Sequence, residues 1–344
     1  MQELIDLVPQ LRVVLTTVCG KRCKYCRPSG EAALRVAAEE TLPVDRLIEC
    51  IRCLAVGGIR EVRLTGGDPA FYPHKKLSYL VGALSKMRLD RVSLVTRSHL
   101  IREVLPDLKN EGLQHITFSL DSLSADRWVD ICGIGADRKI EHMRLLETIQ
   151  EAKSLGFNVN INSVLLRETC RQDLEAIVSF ARVIGIGVKI EEIIRDIGEN
   201  GGGNESLYVD LRPLKEELRK RANYAETVFV QGGLGHPMEV LHFEGGSYVA
   251  WKMLSSGACY GPSCKNCKHY PCDDALMALR LLPNGRLQSC LKRGDNLVDF
   301  AKDIKAGPPM SVVDRVLSEY RNAKRMSYEE ILSLRNNVGS KGGE

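Results

Sequence analysis

Three cysteines lie close together near the start of the chain. Cys19, Cys23 and Cys26 have the spacing Cys-x3-Cys-x2-Cys and follow directly on the apolar run Leu11–Thr17. This spacing lets three thiolates bind three irons of one [4Fe–4S] cluster, whereas a cluster that only carries electrons is normally held by four cysteines. The fourth iron is then open to another ligand, as in catalytic metal sites. The alternatives are a zinc site completed from elsewhere in the chain, or buried free thiols.

A second group of cysteines lies in the last third of the chain. Its members are Cys259, Cys264, Cys267, Cys272 and Cys290. The dipeptide Asn284-Gly285 between apolar runs predicts a hairpin turn that folds Cys290 back toward the others. The spacing alone is as typical of structural zinc as of iron–sulfur. The first cysteine group favours a second, auxiliary [4Fe–4S] cluster.

The composition is that of an ordinary soluble globular protein. The 344 residues are 44% hydrophobic and 27% charged, with a formal net charge of +4 and twelve cysteines. The charge is slight and no long Lys/Arg run occurs, so neither a nucleic acid nor a membrane surface is predicted as a partner. The sequence also lacks an apolar run of membrane-spanning length. We expect a cytoplasmic protein, where thiols stay reduced and many cysteines indicate metal.

Short β-rich runs alternate with amphipathic helical patterns from residue 10 to about 195, which predicts an α/β fold with a parallel sheet. The predicted strands are Leu11–Thr17, Glu61–Thr65, Arg91–Thr96, His115–Asp121, Asn158–Leu166 and Gly187–Ile193. The predicted helices are 44–56, 75–87, 99–111, 137–155 and 171–184. Six strands suit a partial (β/α)6 barrel, although a flat doubly wound sheet has the same periodicity.

The distinctive residues follow the predicted strands. The first cysteine group comes after strand one, and Gly66-Gly67-Asp68-Pro69 comes after strand two. Thr96-Arg97 and Ser119-Leu120-Asp121 end strands three and four. Because ligands of both architectures bind at the carboxyl ends of parallel strands, we expect one site there.

Beyond residue 195 the alternation stops. Glycines 201–203 indicate a flexible junction, so we predict a first domain over 1–200 and a second over 201–344. Residues 225–251 have the pattern of a β-hairpin with Gly-Gly turns. Helical segments follow the second cysteine group. The polar end 341–344 predicts a disordered tail.

Several of these motifs occur in an order known from one enzyme family. They are Leu11-Arg12, Tyr25-Cys26-Arg27-Pro28-Ser29-Gly30, Leu64-Thr65-Gly66-Gly67-Asp68-Pro69, Ser119-Leu120-Asp121-Ser122-Leu123, Ile131-Cys132-Gly133 and Leu279-Arg280-Leu281. Together they resemble the radical S-adenosylmethionine (SAM) superfamily, and within it the MoaA-like GTP 3′,8-cyclases. The resemblance covers most of residues 10–195 and returns at 277–290. It implies a partial-barrel core with a C-terminal auxiliary-cluster region.

The resemblance also implies roles for the residues at the strand ends. Cys19, Cys23 and Cys26 are expected to hold the cluster that binds SAM. The residues expected to contact SAM are Tyr25, Gly66, Gly67, Asp68, Thr96 and Ser119. In the family, an electron splits SAM into methionine and a 5′-deoxyadenosyl radical, which removes a hydrogen atom from the substrate. An electron donor such as flavodoxin or ferredoxin is therefore an expected partner.

The expected substrate-binding residues show where this chain departs from the family. Arg12 and Arg280 match cationic positions of the MoaA-like enzymes, and Lys189 stands where an arginine is usual. Asn160 stands where a lysine is expected, and Ala278 replaces the first arginine of an Arg-Leu-Arg motif. Fewer cations in a triphosphate pocket mean fewer charge-assisted hydrogen bonds.

The auxiliary site departs from the family as well. The MoaA-like spacing would place a cysteine at position 276, which is leucine here. The expected ligands are therefore four cysteines, Cys264, Cys267, Cys272 and Cys290, with Cys259 as a possible further one.

The leading hypothesis is a radical SAM enzyme that abstracts hydrogen from a nucleotide, nucleoside or sugar-nucleotide and then forms or rearranges a C–C bond. Such a reaction would suit natural-product biosynthesis. The first alternative is the GTP 3′,8-cyclase of molybdenum cofactor biosynthesis. Two further alternatives are a peptide-modifying radical SAM maturase and a non-enzymatic zinc-binding module.

Overall fold

The computed structural model describes six stretches of the chain: residues 8–26, 40–195, 204–228, 237–276, 278–304 and 310–339. The predicted glycine junction at 201–203 and the predicted tail at 341–344 lie outside them.

Six strands form a parallel sheet in chain order, as the sequence predicts. They are β1 (Gln10–Val14), β2 (Glu61–Thr65), β3 (Arg91–Thr96), β4 (His115–Ser119), β5 (Asn158–Val164) and β6 (Gly187–Glu191). The helices between them are α1 (Val44–Val56), α2 (His74–Ser85), α3 (Leu105–Asn110), α4 (Ala125–Ile131), α5 (Ile140–Ser154) and α6 (Cys170–Ile184). The predicted α/β fold is confirmed.

The strands carry different residues on their two faces, because successive side chains point to opposite sides of a sheet. On one face lie fully buried apolar residues such as Leu64, Ile116 and Ile161, which belong to the main hydrophobic core. On the other face, polar residues such as Arg12 and Arg63 line an internal cavity. The interior enclosed by the sheet is therefore polar, while the apolar core lies outside it.

The helix boundaries follow local chemistry. Helix α1 buries Leu47, Ile51 and Leu54 at the three- and four-residue spacing of one helix face. Helix α6 ends at Gly185, which adopts the left-handed conformation with φ +67° that glycine tolerates. The helix predicted over 99–111 begins as a 3-10 turn, His99–Val104, and α3 starts only at Leu105. Pro106 in the first turn explains this start, since proline lacks the N–H of an interior position.

The C-terminal elements extend the same sheet. The strands are β7 (Tyr224–Val228), β8 (Met238–His242), β9 (Tyr248–Lys252), β10 (Ala258–Tyr260), β11 (Ala278–Leu281), β12 (Leu287–Gln288), β13 (Leu297–Val298) and β14 (Lys324–Met326). The helices are α7 (Arg212–Arg219), α8 (Phe300–Ile304), α9 (Met310–Arg321) and α10 (Tyr328–Gly339). The large sheet has the order β13-β12-β11-β1-β2-β3-β4-β5-β6-β9-β8-β7, and β10 pairs with β14 separately.

Two of these strands join the six-stranded core in parallel. Strand β11 pairs with β1 and strand β9 pairs with β6. The sheet thus continues across the domain boundary predicted near residue 200. Residues Arg280 of β11 and Lys252 of β9 both line the cavity, so the C-terminal part of the chain contributes to its wall.

Two of the predicted turns of the C-terminal part are present, whereas the Gly232-Gly233 pair lies outside the described residues. Strands β8 and β9 form an antiparallel hairpin around Gly245 and Gly246, which have φ of +76° and +77°. Strands β11 and β12 form another around Asn284-Gly285, and Gly285 has φ +77°. Cys290 follows β12 and is thereby brought back toward the earlier cysteines.

In the part of the chain that the structure describes, no helix has the length and apolar character needed to cross a membrane.

Candidate active site

The first cysteine group occupies a loop that leaves the carboxyl end of β1. Cys19, Cys23 and Cys26 all line the same cavity, which has a volume of about 360 Å³. The loop is anchored by backbone hydrogen bonds from Arg22 N to Cys132 O, 2.8 Å, and from Lys24 N to Ile131 O, 3.0 Å. The end of α4 therefore supports the loop from outside the cavity.

The Gly66-Gly67 turn packs directly against the start of this loop. Gly67 N donates to Thr16 O at 2.6 Å, and Asp68 N donates to Val18 O at 2.9 Å. A β-carbon at Gly67 would lie 2.1 Å from Val18 O, and Gly66 has φ +142°. Only glycine allows this close approach of the two backbones. The N–H groups of Gly67 and Asp68 are thus already bonded to the loop. The groups of this turn that can bind an amino group are its carbonyl oxygens, which accept hydrogen bonds.

Asp68 holds the ends of β2 and β3 together. It is 3% exposed and accepts hydrogen bonds from Thr96 Oγ1 at 2.6 Å, Ala70 N at 3.0 Å and Arg97 N at 2.8 Å. Burial raises the pKa of Asp68, although the bond from Thr96 opposes that shift. Asp68 and Thr96, both expected to contact SAM, line the cavity and also contact each other.

Arg97 and Asp121 form a buried ion pair beside the cysteine loop. Arg97 Nη1 donates to Asp121 Oδ2, Arg97 Nη2 contacts the hydroxyl of Tyr25, and Tyr25 Oη donates to Asp121 Oδ2 at 2.9 Å. The other carboxylate oxygen of Asp121 accepts from Val164 N at 2.9 Å. The group joins the ends of β3, β4 and β5 to the loop. Removing one partner of such a pair leaves a buried charge and costs about 3–5 kcal/mol.

The thiol of Cys23 is held in an environment that favours its charged form. A hydrogen bond with the Cys132 thiol lowers the pKa of Cys23 to about 6, against the opposing effect of burial, and the Arg97 charge acts in the same direction. Arg97 Nη1 also lies 3.6 Å from Cys132 Sγ. Because the thiolate is the form that binds metal, this donor set fits an iron–sulfur cluster. Burial, in contrast, raises the pKa of Cys19.

A layer of cations crosses the cavity below the cysteine loop. The strand register places Arg12 of β1 directly between Arg280 of β11 and Arg63 of β2. Lys252 of β9 lines the same cavity. Burial, and then the neighbouring charge of Arg12, lower the pKa of Arg63 to about 10. A buried group whose charge is disfavoured in this way is stabilised when an anion binds next to it.

Lys189 forms an ion pair on β6 with a carboxylate that faces the cavity. Lys189 Nζ lies 2.6 Å from Glu191 Oε1, and Glu191, but not Lys189, is among the cavity-lining residues. Burial lowers the pKa of Lys189 to about 8, against the attraction of Glu191. Burial would raise the pKa of Glu191, but the charges of Lys189 and Lys252 outweigh it and lower that pKa.

Asn160 lies deeper in the barrel than the cavity-lining residues of the described chain. Asn160 of β5 is level with Gly187 of β6, which is level with Tyr248 of β9. The Tyr248 hydroxyl donates to Asn160 Oδ1 at 2.5 Å. Substrate binding by Asn160 and Lys189 stays a prediction, whereas Arg12, Arg280 and Ser119 line the cavity itself.

Four of the later cysteines influence one another electrostatically. Burial raises the pKa of Cys264 to about 11, and the charges of Cys272 and Cys267 add to the shift. Burial likewise raises the pKa of Cys290 to about 11, again with contributions from Cys272 and Cys264. Cys259 is buried on β10 in the main core. Asp273, Asp274, Leu291 and Lys292, which flank Cys272 and Cys290, line the cavity.

Among the residues described, no three His, Cys, Asp or Glu side chains are grouped so that they could surround a single ion.

Comparison with known proteins agrees with this site. The family profile described as "Radical SAM superfamily" matches residues 13–181, the part of the chain that carries the end of β1, the cysteine loop and strands β2 to β5. Together with the barrel and the position of the three thiols, this match places the chain in the radical SAM superfamily, and the protein is a radical SAM enzyme.

Curated relatives narrow the similarity further. A GTP 3′,8-cyclase of Rhodopseudomonas palustris is 26% identical over 96% of this chain and 90% of the relative. One from Aquifex aeolicus is 24% identical over 82% of this chain and 81% of the relative. Among solved structures, SuiB of Streptococcus suis bound to S-adenosylmethionine has a TM-score of 0.58 at 15% identity. The alignment covers 91% of this chain and 68% of the SuiB chain. The last likeness concerns the fold alone.

The roles of several residues of the site cannot be predicted from the sequence alone. Arg97 and Asp121 stand at strand ends and so carry a positional signal, but nothing in their spacing shows that they pair. Arg63 and Lys252 carry no motif, and their place beside Arg12 and Glu191 follows only from the strand register. The alternation of polar and apolar residues on β2 and β9 is the signal that could have found them.

We predict that Gly67→Ala removes the first cluster site. The added methyl group would overlap Val18 O and push the cysteine loop away from the turn. After anaerobic reconstitution, the iron content should fall by about four per chain, because one four-iron cluster is lost. Gly294→Ala is the matched control, because a β-carbon there has no heavy atom within 4 Å. Equal iron content in the two variants would contradict the close packing of the loop on the turn.

Proposed function

We propose that the protein uses a 5′-deoxyadenosyl radical to abstract hydrogen from a nucleotide, nucleoside or sugar-nucleotide, and then forms or rearranges a C–C bond. The observation that carries this proposal is the cationic layer of Arg12, Arg63, Arg280 and Lys252 inside the same cavity as the three thiols. Four cations that line one cavity favour an anionic group, and arginine matches the geometry of phosphate oxygens.

In this proposal Cys19, Cys23 and Cys26 hold the cluster that binds SAM. The bound cofactors supply the electron and the 5′-deoxyadenosyl radical. The chain's own part is to position and to exclude water. Carbonyl groups of the Gly66-Gly67 turn would accept hydrogen bonds from the SAM amino group, and Tyr25, Asp68, Thr96 and Ser119 would complete the surroundings of SAM. An electron donor of the flavodoxin or ferredoxin type stays a prediction.

We propose further that Cys264, Cys267, Cys272 and Cys290 hold an auxiliary [4Fe–4S] cluster. The mutual effect of these thiols on one another's pKa supports their grouping. With four cysteine ligands the auxiliary cluster would have no open iron, so substrate contacts at this end fall to side chains such as Asp274 and Lys292.

The second candidate function is GTP 3′,8-cyclisation, which the names of the curated relatives favour. Two cationic positions that the MoaA-like enzymes use are neutral here, at Asn160 and Ala278. A triphosphate would therefore meet fewer charge-assisted hydrogen bonds in this chain. A peptide-modifying activity has no support beyond the shared fold of SuiB.

The proposal is tested by SAM cleavage. The anaerobically reconstituted enzyme, reduced with flavodoxin or dithionite, is incubated with SAM and a panel of nucleotides, nucleosides and sugar-nucleotides that includes GTP. We expect 5′-deoxyadenosine formation to be stimulated by at least one anionic member of the panel, with a product of altered mass. Stimulation by a peptide alone would contradict the proposed substrate class, and a product only from GTP would establish the second candidate.

Substrate affinity is predicted to fall as the pH rises above about 8. Below that pH, protonated Lys189 neutralises Glu191. Above it, Lys189 is neutral, and the Glu191 carboxylate faces the anionic substrate without the charge of its ion-pair partner. The dissociation constant should rise by up to about tenfold per pH unit, the limit for loss of one proton. Lys189→Arg, which keeps its charge over this range, should flatten the profile, and a decline unchanged in that variant would contradict the assignment.

Cys272→Ala is predicted to remove the auxiliary cluster only. Iron should fall from about eight to about four per chain, while SAM binding persists, because the first cysteine group is separate. Cys259→Ala serves as the control, because Cys259 is buried on β10 in the main core and is not one of the four proposed ligands. If the Cys259 variant loses iron as well, the auxiliary cluster has a different ligand set from the one proposed.

A further inference from the structure

One buried thiol, that of Cys132, belongs to neither cysteine group. Cys132 follows directly on α4, has no exposed surface and packs in the same hydrophobic core as Cys23. The three thiols of the first group line the cavity, whereas Cys132 is not among the cavity-lining residues that the structure describes. It therefore lies behind the first cysteine group, where neither SAM nor a substrate would reach it.

The main chain fixes Cys132 beside Cys23. The two loop residues that flank Cys23 both bond to the end of α4. Arg22 N donates to Cys132 O at 2.8 Å, and Lys24 N donates to Ile131 O at 3.0 Å. These bonds use backbone atoms only, so they remain when the side chain at position 132 is changed.

The side chain of Cys132 connects a cation to a proposed cluster ligand. Arg97 Nη1 donates to Cys132 Sγ at 3.6 Å, and the Cys132 thiol is hydrogen-bonded to Cys23. A guanidinium group can only donate, and a cysteine that binds iron is a thiolate, which can only accept. The S–H of Cys132 is therefore the group that donates to Cys23.

The charges around Cys23 oppose one another. Arg97 contacts both Asp121 Oδ2 and the hydroxyl of Tyr25, so its position is fixed. The hydrogen bond from Cys132 is the largest influence on the pKa of Cys23 and lowers it; Arg97 lowers that pKa as well, whereas Asp121 raises it. The surroundings of the Cys23 sulfur are thus governed by a hydrogen bond more than by net charge.

We infer that Cys132 is a positioning residue of the SAM-binding cluster, whose S–H donates to the Cys23 sulfur and raises the reduction potential of that cluster. Reduction adds negative charge to the cluster and its sulfurs, so a hydrogen bond to one of them is stronger in the reduced form. Cys132 has no exposed surface, so water does not screen this bond. The inference rests on the part of the proposed function that assigns Cys23 to the cluster, and it is independent of the substrate.

The test is a potentiometric titration of the anaerobically reconstituted holoenzyme without SAM, followed by electron paramagnetic resonance. The signal of the SAM-binding cluster is the one that is absent from Cys23→Ala. At the potential that half-reduces this cluster in the wild type, the ratio of reduced to oxidised cluster should fall at least about threefold in Cys132→Ala, because one hydrogen bond is lost. Iron content and SAM affinity should stay at wild-type values.

Two further variants separate the hydrogen bond from packing. Cys132→Ser keeps a donor at the same place, so its ratio should lie nearer to the wild type than to Cys132→Ala. Cys50→Ala is the matched control and should keep the wild-type ratio, since Cys50 is equally buried in the main core but lies on α1. A ratio in Cys132→Ala equal to that in Cys50→Ala would overturn the inference, and so would a serine variant shifted as far as the alanine variant.

Cys132→Val, which fills the volume of the thiol without a donor, covers the case in which Cys132→Ala does not fold. It should show the same fall in the ratio. Loss of the SAM-binding cluster from both non-donor variants would overturn the inference, because Cys132 would then be needed to hold the cluster and not only to set its potential. Full iron content with unchanged signals in Cys23→Ala would instead be a failure of the cluster assignment in the proposed function, and the inference would fall with it.

Discussion

The position of β1 between β2 and β11 is the constraint on which the rest of the site depends. Both neighbours pair with β1 in parallel, although β2 lies about fifty residues along the chain and β11 lies far beyond the barrel core. This pairing brings Arg12, Arg63 and Arg280 level with one another. It also releases the cysteine loop at the point where the Gly66-Gly67 turn can bond to it. One strand thus aligns the thiols above with the cations below.

This alignment places three guanidinium groups side by side along the wall of the cavity. Burial, and then the neighbouring charge of Arg12, lower the pKa of Arg63. Two carboxylates of the cavity wall form ion pairs: Asp121 pairs with Arg97, and Glu191 pairs with Lys189. The cavity wall thus combines ion pairs with a row of guanidinium groups, an arrangement that suits an anionic ligand.

Much of this architecture can be predicted from the sequence, because it depends on local patterns. The ends of β2 and β3 agree with prediction, since each strand is bounded by turn residues. The Asn284-Gly285 turn is equally local and correctly returns Cys290 toward the earlier cysteines. Lys252 and Tyr248 could not be assigned, since their place in the barrel depends on which strand β9 joins. Helix α4 is not predicted from the sequence, because it is short and follows closely on the more conspicuous Ser-Leu-Asp motif.

The distribution of charge bears on how the proposed anionic substrate would lie. Its anionic group would be drawn to Arg12, Arg63 and Arg280, so its neutral part would face the three thiols and the Gly66-Gly67 turn. Asp274 and Lys292 line the wall beside the later cysteines. The pairing of β1 with both neighbours therefore sets the separation between the cations and the thiols, and with it the part of such a substrate that would lie in reach of the radical.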